Sequence, residues 1–274
     1  MSGAERSSIL LHGLMVFAAT FALAIWGGSK VYAVGAYVPP AMLSVPYFLA
    51  LFLVMTALVL ALLRWTERGV LFQALFTLAM LSGAWFLAGI LLPPPWGLVT
   101  GSAFVLARFR WKKVAVLNLT LAVGIAGISA SVASSLTANA VLVIFTILAF
   151  YDIVAVYATG HMVRMFRDLA GRGVLLAFVL PPLGIRSLSA QAETVSGRAM
   201  YLGSGDIALP AMLAVAAMRG GFVHGLAAAL GAMAGFALLV LLFMAQPKRR
   251  PMPALPPIAL GSASFYLASL LMFS

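Results

Sequence analysis

The stretch AVLVIFTILAFYDIVAVYAT, residues Ala140–Thr159, carries a single charged side chain, Asp152. A helix of about 20 apolar residues is about 30 Å long, which matches the hydrocarbon core of a bilayer. The run is therefore read as a membrane span. An aspartate near the middle of a span costs roughly 2.5–3.5 kcal/mol on insertion scales, so such residues face a protein interior or a water-filled cavity and mark function.

Similar runs lie on both sides of it. Spans are expected at Ile9–Trp26, Ala41–Leu63, Val70–Leu92, Gly97–Ala107, Val114–Leu136, Leu202–Ala217, Phe222–Ala245 and Leu255–Phe273, which makes nine with Ala140–Thr159. The fourth and seventh are short for a full crossing. Pro39-Pro40, Pro93 to Pro95, and Pro251 with Pro253 fall between runs, where helices stop and the chain turns. The fold class expected is all-α and polytopic, one membrane domain over residues 1–274. It has N-terminal spans over about 9–159, a loop over about 160–201 and C-terminal spans over about 202–273. The first apolar run shows no clear small-residue cleavage site and is read as a span rather than a leader.

Composition supports the same class. Of 274 residues 64% are hydrophobic and 8% charged, against about 25% charged in soluble domains. A soluble fold cannot hide that much apolar surface. The net charge of +11 is read as topogenic, and no nucleic-acid partner is expected. With the N-terminus inside, fifteen of the 17 lysines and arginines fall on the cytoplasmic side, leaving only Lys30 and Arg219 opposite. This positive-inside bias places the N-terminus and the 160–201 loop in the cytoplasm and the C-terminus outside.

The chain has no cysteine, which excludes disulfides and thiolate chemistry. His12, His161 and His224 are scattered without a His-Glu-x-x-His pattern. No metal and no cofactor are expected, and no Ser/His/Asp arrangement suits a serine protease. Gly221 with Gly225, and Gly231 with Gly235, give two Gly-x-x-x-Gly spacings in the eighth span and are read as a close helix-packing face. In the loop, His161–Ala170 reads as a basic, partly amphipathic helix. Val174–Leu180 is apolar but too short to cross, and periodicity does not decide between a strand and a buried loop segment.

Of the six acidic residues only Asp152 and Asp206 lie within apolar spans. Asp152 stands twelve residues before Arg164 and Asp206 eight after Arg198, about 18 Å and about 12 Å along a helix. Two antiparallel spans joined by one cytoplasmic loop can bring the carboxylates face to face. Adjacent carboxylates cannot both ionise cheaply, so such a pair shares a proton. The ionised member takes a proton from water and the protonated one polarises a carbonyl, giving general acid–base hydrolysis of an amide. The same two residues also suit a proton- or ion-coupled transporter, or a pair that hydrogen-bonds helices together.

Their neighbours point further. Asp152 follows Tyr151, Asp206 ends Gly203-Ser204-Gly205-Asp206, and Pro253-Ala254-Leu255 opens the last span. This ordered triplet resembles the presenilin and signal peptide peptidase family, the GxGD intramembrane aspartyl proteases; the cytoplasmic N-terminus is similar to presenilins, and the compact loops resemble a prokaryotic (archaeal) presenilin homologue. The resemblance implies a catalytic dyad of Asp152 and Asp206. It makes Tyr151, Gly203, Ser204 and Gly205 active-site motif residues, with Pro253, Ala254 and Leu255 positioning substrate. It implies transmembrane-helix substrates in a lipid bilayer; an obligate partner subunit is not expected, and the sequence does not give the oligomeric state. Ser204 stands where related proteins often carry Leu or Met.

Gly203 and Gly205 are expected to allow unusual dihedrals and close backbone approach. An extended substrate is expected to pair with a loop strand by β-augmentation, with Val174–Leu180 and Arg198–Leu202 as candidates. Deleting Val174–Leu180 is expected to spare the fold. A peptidase that trims prepilin or preflagellin leaders shares Gly-x-Gly-Asp but has fewer spans and no Pro-Ala-Leu.

Overall fold

The computed structural model describes residues 3–33, 70–111, 113–158, 177–181, 199–246 and 251–273, with scattered positions within 46–61 and residue 168. The elements are α1 (Gly3–Ala33), α2 (Val70–Leu91), α3 (Trp96–Arg110), α4 (Val114–Ala133) and α5 (Ala138–Ile153), which runs on as a π-helical turn, Val154–Ala158. They are followed by β1 (Ala177–Leu180), β2 (Met200–Gly203), α6 (Ser204–Ala217), α7 (Phe222–Ala245) and α8 (Leu255–Met272). Among the described residues six helices are long and apolar enough to cross a membrane: Ser7–Ala33, Val70–Leu91, Val114–Ala133, Ala138–Ala158, Phe222–Ala245 and Leu255–Met272. The 15-residue α3 and the 14-residue α6 are shorter. The expected second span, Ala41–Leu63, lies largely outside the described residues, as does the expected helix His161–Ala170. The described residues therefore give a multi-pass helical membrane protein and not a count of nine.

Local chemistry sets several element ends. Thr137 caps α5, its hydroxyl accepting from the Ala140 N–H at 3.2 Å. Pro256 and Pro257 sit in the first turn of α8, where a missing N–H breaks no intrahelical bond. α6 is the centre of the bundle: α1, α4, α5, α7 and α8 all pack on it, and every residue from Pro210 to Ala217 is buried. A helix enclosed on all sides has no use for a polar face, which is why its last two turns read as small apolar residues.

Glycines bring backbones together at two crossings. A Cβ on Gly231 would strike the main-chain oxygen of Gly261, and one on Gly83 that of Gly124. Removing these side chains lets α7 meet α8, and α2 meet α4, backbone to backbone, the means by which helices associate where lipid gives no hydrophobic drive. Gly225 packs on Ala214 and Met218 in the same way. Gly221 does not belong to that face: its φ of 146° places it in the turn before α7, a conformation open to glycine. Hydrogen bonds complete the α7–α8 contact, from Ser262 Oγ to the Ala228 carbonyl at 2.9 Å and between His224 Nδ1 and Ser269 Oγ at 2.8 Å. At the other face of α6, Tyr32 donates to the Val215 carbonyl at 3.1 Å, and Arg219 lies over the Tyr32 ring and donates to the Ser134 carbonyl.

β1 and β2 form an antiparallel pair in the register Ala177↔Gly203, Phe178↔Leu202, Val179↔Tyr201, Leu180↔Met200. Both strands fall within or beside the segments expected to be extended. Leu202, however, does not open a helix: it pairs with Phe178 in the sheet, and α6 starts two residues later. All four β1 residues are buried, and β1 rests against α1 and α4. Deleting Val174–Leu180 would therefore empty part of the core, contrary to the expectation that the fold survives it.

Gly261→Val is expected to separate α8 from α7 and destabilise the protein by about 1–3 kcal/mol through overpacking. A thermal-unfolding midpoint that does not fall, measured in detergent, would refute the backbone contact.

Candidate active site

Gly203 ends β2 and is also the N-cap of α6. Asp206 is therefore the third residue of the helix. Its carboxylate turns back over the cap: a Cβ on Gly203 would lie 2.9 Å from Asp206 Oδ2, and the Gly203 N–H donates to the carboxylate. This is the returning half of a capping box, in which an N3 acid satisfies the N-cap N–H, and the helix dipole favours a negative charge there. Gly203 has ordinary dihedrals, φ −58° and ψ 141°, so the expected unusual conformation is absent. The glycine supplies room for the carboxylate. At the exposed Gly205 a Cβ would meet nothing within 4 Å, which leaves open space one residue from Asp206.

Asp152 lies at the end of α5 and is buried. Its Oδ2 accepts from the Leu255 N–H at 3.1 Å, with the Ala254 N–H as a second donor. Leu255 is the first residue of α8. The next two positions are prolines without N–H groups, so Leu255 carries the one main-chain donor among the first three helical residues. Asp152 thus caps a helix far from it in sequence. α5 packs on α6, and the charge of Asp152 acts directly on Asp206. Two buried carboxylates, each at a helix start with main-chain donors, stand on packed helices near enough for the charge of one to act on the other. This arrangement can share a proton, activate water and polarise a carbonyl.

The remaining expected site residues fall around the pair. Tyr151 is exposed on α5 beside Asp152, Ser204 is half-buried at the first position of α6, Pro253 is buried, and Ala254 is the half-buried N-cap of α8. Among the described residues no three His, Asp or Glu side chains are grouped to hold a metal. Sequence reasoning missed two contributors. Pro256 and Pro257 were visible as prolines following the motif. Asn118, which bonds to β1, was visible as an amide in an otherwise apolar stretch.

Over residues 13–274 the chain matches the family described as signal-peptide peptidase, presenilin aspartyl protease. Two solved structures of a presenilin family intramembrane aspartate protease share its fold. The one in space group C222 is 21% identical, covers 96% of this chain and 99% of its own, and has a TM-score of 0.67. The one in space group P2 is 22% identical, covers 94% and 96%, and has a TM-score of 0.64. No curated protein sequence matches the chain.

Gly203→Ala should displace the Asp206 carboxylate and lower any dyad-dependent turnover at least tenfold, while Gly205→Ala leaves the thermal midpoint unchanged. Equal turnover by Gly203→Ala and the parent would show that the carboxylate does not need the space.

Proposed function

The chain belongs to the signal-peptide peptidase and presenilin aspartyl protease family, and on that premise we propose that Asp152 and Asp206 are its catalytic dyad. The protein is a multi-pass membrane protein and an intramembrane aspartyl protease. The observation that carries the residue assignment is the mutual approach of two buried carboxylates held by main-chain donors. In the proposed cycle one carboxylate accepts a proton from water as the water attacks the scissile carbonyl. The other donates a proton to that carbonyl oxygen; the carboxyl that took the water proton then passes it to the amide nitrogen while its partner takes back a hydroxyl proton, and the C–N bond breaks to release the amine. No covalent enzyme intermediate forms, and the GxGD type follows from Gly203, Gly205 and Asp206.

The substrates we propose are transmembrane helices, unwound locally so that an amide is free for attack. The open space at Gly205 is the place we assign to the scissile segment. Pairing by β-augmentation falls to β2 and not to β1, because β1 has β2 on one edge and Asn118 on the other. Pro253, Ala254 and Leu255 act through α8: Leu255 holds Asp152, and Pro253 and Ala254 set the start of the helix. The orientation proposed has the N-terminus and the 160–201 loop in the cytoplasm, one membrane domain over the whole chain, and no obligate partner subunit. A transporter reading lacks support from the family, and a leader peptidase lacks it from the fold.

Purified protein, incubated with a labelled single-span peptide and no ion gradient, should cleave it. Asp152→Asn and Asp206→Asn should each reduce cleavage by about 10²–10⁴-fold with thermal midpoints near the parent's. Cleavage that survives both substitutions would remove the dyad from the mechanism. A second series replaces Leu255 with Pro, deleting the N–H that holds Asp152. A turnover loss of about tenfold or more is expected, and none would show that the bond is not needed.

A further inference from the structure

Asn118 makes two hydrogen bonds with one residue of β1. Its Nδ2 donates to the Val179 carbonyl at 2.7 Å, and its Oδ1 accepts from the Val179 N–H at 3.0 Å. A primary amide carries a donor and an acceptor in one plane, so this side chain presents to β1 what a neighbouring strand would present. The Val179 main-chain groups point at Asn118 and hence away from β2, which makes Val179↔Tyr201 a non-hydrogen-bonded pair of the ladder.

We infer that Asn118 is a positioning residue that stands in for a third strand, fixing β1 and through it the register of the substrate-receiving strand β2 before substrate arrives. The inference rests on the proposed function and adds to it. A two-stranded ribbon is at best marginally stable alone and slips easily where register is weakly specified. Here a one-residue slip would carry Gly203 away from Ala177 and so move the cap that holds Asp206. Asn118 comes from α4, which also packs on α6, so the brace and the Asp206 helix share one support. Phe178, Val179 and Leu180 are fully buried, but apolar burial alone does not set hydrogen-bond register along a strand. A leucine of similar size at 118 would leave the Val179 N–H and carbonyl without this partner. A glutamine would keep both groups on a stem one methylene longer.

Two readouts on the full-length protein test the role. For kinetics, Asn118→Leu is expected to raise KM for a single-span peptide and to lower kcat as well, because the slipped register also moves Asp206, so that kcat/KM falls about tenfold or more. Asn118→Gln should recover part of the loss. For register, Val179→Cys with Tyr201→Cys is placed in the otherwise cysteine-free chain and disulfide yield is measured under mild oxidation. Yield should be high with Asn118 and fall several-fold with Asn118→Leu. If Asn118→Leu fails to accumulate as folded protein, Asn118→Ser is read by the same criteria. An unchanged KM, or a disulfide yield that ignores residue 118, would overturn the inference. The disulfide forms without catalysis, so a register-dependent yield in a parent that cleaves nothing would count against the protease assignment and still support the brace.

Discussion

A carboxylate withdrawn from water needs donors from the protein, because an uncompensated charge in an apolar interior is among the costliest features a fold can hold. This chain supplies them from main chain at two helix starts. Gly203 donates to Asp206 and Leu255 to Asp152. Element boundaries follow from that need. α6 begins where β2 ends, so that its third residue can reach back over the cap. α8 begins opposite the end of α5, with two prolines clearing its first turn of competing donors.

The rest of the bundle keeps these two helix starts at a fixed separation. α8 is joined to α7 along its length, by backbone contact at Gly231 and Gly261 and by Ser262 and His224. α7 packs in turn on α6. The donor for one aspartate and the helix carrying the other therefore belong to one rigid assembly. The far end of α6 is tied to α1 by Tyr32 and to the end of α4 by Arg219. Close backbone approach at glycines and hydrogen bonds between helices are how a bundle holds together where apolar burial distinguishes poorly between protein and lipid.

Much of this was legible in the sequence because the membrane raises the contrast. Asp152 and Asp206 stand out in apolar runs as they would not in a soluble enzyme, and the glycine and proline motifs near them complete the pattern. The short apolar run at Val174–Leu180 left strand and buried loop segment undecided, and the partner of a strand there was not legible at all. Pairing of Ala177 with Gly203 is a long-range fact, and hydropathy alone carried Leu202 into the following helix. The role of Gly203 was half legible, since it provides room for a close approach and uses no unusual dihedrals. Composition says that a glycine is needed, and only geometry says whether for dihedral freedom or for space. Asn118 and the Pro256-Pro257 pair escaped because each acts on main-chain atoms of a distant element, which no spacing rule encodes.

β2 and α6 meet at Gly203 with no intervening linker. In mechanical terms they form one tie rod, with the Asp206 carboxylate fastened at the joint. A load applied along β2 has no slack segment in which to dissipate and arrives at Asp206 as displacement. Under the proposed pairing, seating a peptide along that strand and setting the aspartate are a single movement of one continuous piece of chain.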